Sequence, residues 1–354
     1  MLSILSVYNF YFGISIESSI KLCYNAKDYI EIGGVNMKSQ NVYIGNSSCN
    51  GIYHYKLMNG SLVALGNLCD IEKCTYLCKK DSMIYGVIEN VEGEIFSYNI
   101  ESEEIKRIKT NKSCPCHISI SDDKKYLFVS HYKDGYKQIY EVKADGMIGK
   151  LIFEEVQDEE KSHTHFMKEY NKNLYAVDLG TNRIEVYDIK HKIKSISKID
   201  FEENIQPRHL CFYKDYIFVI TEKSCKLYTL KFENNSLTII DERNLLPEEA
   251  EKNDTYTGCA IDISKDGKYI YATIREHNSI SVFKNTNGIL KHIQNISSNG
   301  ELPWDIKVDK DDKFVIVANA SSDNVCIYER NKFSGKIKFM YESCMNAPSC
   351  ILID

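Results

Sequence analysis

The sequence predicts an all-β fold, a seven-bladed β-propeller whose ring is closed by pairing of its N- and C-terminal strands. Three observations carry this prediction. A strand–turn–strand unit recurs seven times at a mean spacing of about 45 residues, the period of a propeller blade. No segment sustains the periodicity of an amphipathic helix, whereas turn signals interrupt β-patterned runs at short intervals. The first and last units are each incomplete: the strand near Val42 has no inner strand before it, and Pro348–Asp354 has no second strand after it. Pairing those two segments closes the ring and leaves no open sheet edge.

The unit is clearest at residues 260–275. Ile261 and Ile263 alternate with polar neighbours, Lys265-Asp266-Gly267-Lys268 carries hairpin-turn chemistry, and Tyr269 to Ile274 is rich in β-formers. Second strands begin near Val42, Ile84, Tyr126, Leu174, Tyr216, Tyr269 and Phe314. Their inner partners are Thr75–Cys78, His117–Ile120, His165–Glu169, His209–Phe212, Ala260–Ile263, Asp305–Val308 and the C-terminal segment. Outer strands follow, with a hairpin turn at Asn59-Gly60 and another around Ala144-Asp145-Gly146 between Tyr132–Val142 and Met147–Phe153. Glu154–Lys161 and Leu246–Asn253, the longest insertion between units, are expected as charged loops, the second with a short helix as the alternative. No linker of Pro, Gly and Ser interrupts residues 37–354, which read as one propeller domain.

Residues 1–36 do not fit the repeat and are expected to lie outside the propeller as an N-terminal extension. Their apolar start, Met1–Ile16, lacks the basic residues of a secretory signal and is too short to span a bilayer. Met37, just before the first strand, is a second candidate start of translation.

In an antiparallel hairpin the start of the first strand lies beside the end of the second. Residues at those points in every unit are therefore expected at one mouth of the central channel. The inner strands start with Thr75, His117, His165, His209, Ala260, Asp305 and Cys350, taken as equivalent, with Arg208 one step earlier in its unit. Just past the second strands stand Glu89, Tyr132, Leu179, Glu222, Arg275 and Ala320.

The composition is that of a soluble globular chain: 354 residues, 43% hydrophobic, formal net charge −6. A mildly acidic chain has no general attraction for nucleic acid or an anionic membrane, so neither is expected as a partner. Thirteen cysteines without a regular framework suit a reducing, cytoplasmic setting. Cys74, Cys78, Cys114, Cys116 and His117 lack metal-ligand spacing, and no metal or other cofactor is expected.

Several segments resemble the seven-bladed propeller lactonases, the family that includes bacterial 6-phosphogluconolactonase and is related to the carboxymuconate-cyclising enzymes. They are His163-Thr-His165 with Val177-Asp-Leu-Gly180, Pro207-Arg-His209 with Val219-Ile-Thr-Glu222, Ile263-Ser-Lys-Asp-Gly267 through Arg275, Leu302-Pro303 with Val317-Ala-Asn319, Ser322-Asp-Asn-Val325, and Pro348-Ser-Cys350. Tyr43-Ile-Gly45 and Tyr85-Gly-Val-Ile-Glu89 match the first blades. The resemblance covers nearly everything after Met37. It implies catalytic roles for His165, Arg208, Glu222 and Arg275; Glu89, His117, His209, Trp304 and Asn319, at or near the same strand ends, are expected to contact substrate. Four positions depart from the family pattern: Gln206 replaces a glycine, Ile274-Arg275-Glu276 an Asn-Arg-Gly run, Trp304 an arginine, and His131 an asparagine.

The implied reaction is hydrolysis of a small-molecule lactone, with 6-phosphogluconolactone as the expected substrate. Arginines would stabilise the oxyanion, and Glu222 or His165 would activate water without a covalent nucleophile. No Gly-x-Ser-x-Gly elbow supports a serine esterase. Two other readings fit the same fold: a cycloisomerase acting on a carboxymuconate-like lactone, and a non-catalytic binding scaffold.

Overall fold

The computed structural model describes residues 29–32, 35–48, 50–190, 192–250 and 253–354. Seven four-stranded antiparallel sheets form the blades of a propeller, each running from an inner strand at the channel to an outer strand at the rim. Blade 1 is the composite one. The C-terminal strand Pro348–Ile353 is its inner strand and pairs with Gln40–Asn46, Val42 lying opposite Ile353 and Ile44 opposite Ile351. The inner strands of blades 2 to 7 are Cys74–Lys80, Pro115–Ile120, Thr164–Tyr170, Pro207–Tyr213, Thr257–Ile263 and Pro303–Val308. A separate two-stranded ribbon, Tyr29–Ile32 with Val35–Lys38, precedes blade 1 and pairs with no blade. The expected extension 1–36 lies mostly outside the described residues.

The core is divided among the blade interfaces because every strand alternates its side chains between two neighbouring blades. Seven apolar clusters result, one at each interface. The seam that closes the ring is built like the others: Val42, Ile44, Leu57 and Ile351 of blade 1 pack on Ile316, Ala318, Val325 and Ile327 of blade 7. Closure therefore rests on main-chain pairing and on apolar packing together.

The two expected loops take the following form. Leu246–Asn253 is no helix in its described part: Leu245 and Leu246 lie in a bend, and a turn follows in which the Ala250 amide donates to the Pro247 carbonyl at 3.0 Å. Pro247 and the adjacent acidic pair favour that turn over a helix interior. The charged loop after blade 3 begins later than expected, because the outer strand continues through Glu155. Glu154 and Glu155 stay in the strand because their carboxylates have partners, Gln138 for the first and Lys137 for the second.

No helix among the described residues is long and apolar enough to cross a membrane.

Candidate active site

Each inner strand enters its blade through a β-bulge that inserts one residue against its partner strand. In blade 5, Pro207 lies opposite Thr221 and His209 opposite Ile220, which leaves Arg208 as the extra residue. The equivalent bulged residues are Thr75, Cys116, His165, Arg208, Cys259, Trp304 and Ser349. This corrects the register read from the sequence. His165 is equivalent to Arg208, while His117 and His209 sit one step deeper, level with Tyr76, Phe166, Asp305 and Cys350. A bulge re-aims the extra side chain, here toward the mouth.

The residue two places before the bulge is left-handed in five blades: Lys73, Cys114, Gln206, Leu302 and Ala347 have φ of 48°, 52°, 56°, 57° and 37°. Its carbonyl accepts from the residue just past the second strand, as Gln206 does from the Glu222 amide at 2.7 Å. Gln206 thus adopts without a glycine the conformation that a glycine takes most cheaply, at a cost of roughly 1–2 kcal/mol. The same turn sets the backbone of Glu222 beside that of Arg208.

The side chains at this end form a connected cluster. The Glu222 carboxylate accepts from Arg208 Nε at 3.0 Å and stands 2.9 Å from Arg275 Nη2, both on the same oxygen. Arg208 is 2% exposed, and its Nη1 also donates to the Cys259 carbonyl at 2.6 Å. Arg275 is held by Thr257, whose hydroxyl accepts from its Nε at 3.0 Å, and its guanidinium lies 5.6 Å from the centre of the Trp304 ring. Such a cation–π contact contributes about 0.5–1 kcal/mol where solvent reaches it.

Opposite the arginines, the His165 ring packs 5.0 Å from that of His209 and 5.7 Å from that of Tyr132. Burial, reinforced by the Arg208 charge, pushes the His165 imidazole well below its usual value, so the ring is neutral near pH 7. Its Nδ1 is buried without a hydrogen-bond partner among the described residues. His117 and His209 are pushed down the same way, by burial first and nearby cations second. Glu89, at the position in blade 2 equivalent to Glu222, makes no ion pair within 4 Å among the described residues; burial raises its pKa against the opposing pull of Thr75 and Arg208.

The structure therefore brings His165, Arg208, Glu222 and Arg275 together, with Trp304, Glu89 and His209 around them. His117 lies below, packed between Tyr76 and Phe166. Asn319 is turned into its own blade, fully buried, with Nδ2 donating to the Ser298 carbonyl at 3.0 Å. His131 is likewise internal, its Nε2 2.9 Å from Gln138 Oε1. The residues that sequence reasoning missed are Thr257 and the Cys259 carbonyl, which anchor the arginines; Tyr132, expected at the mouth, stands there with its ring stacked on His163 at 4.9 Å. Four prolines, 115, 207, 303 and 348, open inner strands at one equivalent position just before the bulge. They are the signal that would have set the register correctly.

Comparison with known proteins agrees with this architecture. Residues 41–353 match the family described as Lactonase, 7-bladed beta-propeller, and the chain belongs to that family. An uncharacterised protein of Staphylococcus epidermidis is 28% identical over 340 residues, covering 88% of this chain and 99% of its own. The 6-phosphogluconolactonase of Bacillus subtilis is 26% identical over 286 residues, covering 74% of this chain and 81% of its own. Among solved structures, a Lactobacillus plantarum protein superposes with a TM-score of 0.82 at 24% identity, covering 89% of this chain and 99% of its own. The periplasmic gluconolactonase of Pseudomonas aeruginosa superposes at 0.80 and 22% identity with the same coverage, a likeness of fold.

Proposed function

We propose that the mouth hydrolyses a sugar lactone, with 6-phosphogluconolactone as the first substrate to test. The observation that carries this reading is the pair of arginines sharing one carboxylate oxygen beside a buried neutral imidazole. The named Bacillus subtilis relative supports the choice of substrate.

Lactone hydrolysis needs a donor for the developing oxyanion, a base for water and a proton for the departing ring oxygen. Arg275 is the more accessible guanidinium, its side chain 14% exposed, and serves as the oxyanion donor. A donor of this kind contributes about 10²–10³ in rate. Glu222 holds both guanidinium groups in place. Both guanidinium groups engage one and the same oxygen, so its part is to position them. Water activation therefore falls to His165, whose imidazole is neutral and lies near both arginines. Water oxygen attacks the carbonyl carbon, its proton passes to the imidazole, and the ring C–O bond breaks as the alkoxide leaves. Glu89, which holds a proton more readily than an exposed carboxyl, is placed to supply that oxygen with a proton.

The test is pH-stat titration of the purified protein with 6-phosphogluconolactone, gluconolactone and a muconolactone. The reading expects turnover of a sugar lactone that falls at least 10²-fold in His165→Gln. Turnover of the muconolactone alone would move the assignment to the cycloisomerase reading, and no turnover of any of the three would leave a binding scaffold.

A further inference from the structure

On the face of blade 5 that carries the mouth lies a cleft of about 320 Å³, at the small end of ligand sites, which span about 300–1,000 Å³. One wall is the turn at residues 223–226, which follows the second strand, Tyr216–Thr221. The other is the segment that leads from the outer strand, Ser236–Asn244, to the inner strand of blade 6, Thr257–Ile263. Both walls meet the candidate site. Lys223 follows Glu222, and Tyr256 precedes Thr257, whose hydroxyl holds Arg275. The walls are also tied to each other: the Gly258 amide donates to the Glu222 carbonyl at 3.0 Å, and Lys223 Nζ to the Asp254 carbonyl at 3.2 Å.

The lining decides what fits there. Lys226 is paired with Glu242 at 2.5 Å, which leaves one ammonium, Lys223, against two carboxylates, Glu248 and Asp254. That balance does not favour a phosphate or a carboxylate. The carboxylates and the Asn244 amide make no side-chain hydrogen bond or ion pair among the described residues, so donors and acceptors both stand available. A hydroxyl donates and accepts, and a neutral polyol can therefore satisfy the amide, the carboxylates and the ammonium together. Tyr256 adds a half-buried ring, set edge-on to His277 with centres 5.0 Å apart, which the C–H face of a pyranose can cover.

We propose that this cleft receives a second, neutral sugar ring joined to the lactone, so that the substrate is a glycosylated sugar lactone. This inference rests on the lactonase reading of the mouth and adds to it the class of substrate.

The test compares kcat/KM in a pH-stat for gluconolactone and for maltobionolactone, the same ring bearing a glucosyl group. Wild type is expected to favour the glycosylated lactone about tenfold through KM, what one to two net hydrogen bonds contribute. Tyr256→Ala removes the aromatic ring. Asn244→Trp, at an exposed strand end, fills the cleft from its outer wall. Each variant is expected to bring the ratio to about one while kcat/KM for gluconolactone stays within about twofold of wild type. Wild type that does not favour the glycosylated lactone overturns the proposal. In that case turnover of gluconolactone or 6-phosphogluconolactone leaves the lactonase reading standing, and turnover of no lactone removes both. A preference that survives both variants, or a loss in both that falls equally on the two lactones, also overturns the proposal.

Discussion

Replacing Glu222 by glutamine removes the charge that joins the two arginines while keeping the shape of the side chain. Arg208 is almost wholly buried, and without the carboxylate its main remaining partner is the Cys259 carbonyl. Two charge-assisted contacts are weakened at once, each worth about 1.5–3 kcal/mol when fully formed. The Glu222 side chain is 19% exposed and the amide keeps one acceptor, so roughly half of that sum is lost, and the expected destabilisation is about 2 kcal/mol. Urea denaturation reads it as a lower midpoint at unchanged slope. On the proposed mechanism the freed guanidinium groups no longer hold one geometry, and kcat falls by about 10²-fold. A folded Glu222→Gln protein with kcat within about threefold of wild type would refute the reasoning.

Three further outcomes are expected. His117, His165 and His209 are all held below their ordinary value by burial, so below about pH 6.5 the unfolded chain binds more protons than the folded one. Stability is accordingly complete above that pH and declines as pH falls, which thermal melts between pH 8 and pH 5 would register; a melting temperature that rises on acidification would contradict it. Lys137 is buried with Glu185, 2.5 Å away, and with Tyr187 between blades 3 and 4. Lys137→Met strands that carboxylate and is expected to cost about 3 kcal/mol in urea unfolding, with loss below about 1 kcal/mol counting against the burial argument. Trp304→Arg restores the family's arginine beside Arg275 and is expected to lower KM for a phosphorylated lactone about tenfold relative to its unphosphorylated analogue; an unchanged KM ratio would show that the position does not read substrate charge.

The repeat was legible in the sequence because each hairpin carries its own turn chemistry and a β-rich second strand, as Ser264-Lys-Asp-Gly267 before Tyr269 illustrates. Closure was legible because Pro348–Asp354 had only one place to pair. The bulges were not: an extra residue in one strand leaves the period-two pattern intact on either side of it. Aligning His117, His165 and His209 therefore slipped one of the three, His165, by one step and hid that it stands level with Arg208. The role of Asn319 in its own blade was hidden too, since a strand-end asparagine reads the same whether it faces ligand or the Ser298 carbonyl.

The central claim is that this mouth turns over a lactone. Its most direct test is the initial rate of acid release from 6-phosphogluconolactone in a pH-stat, with the purified protein compared to the spontaneous reaction in the same buffer. The account predicts a saturable rate far above the spontaneous one for wild type and a rate near background for Arg275→Gln. A wild-type rate indistinguishable from background for that lactone and for gluconolactone, in protein shown to be folded, would contradict it.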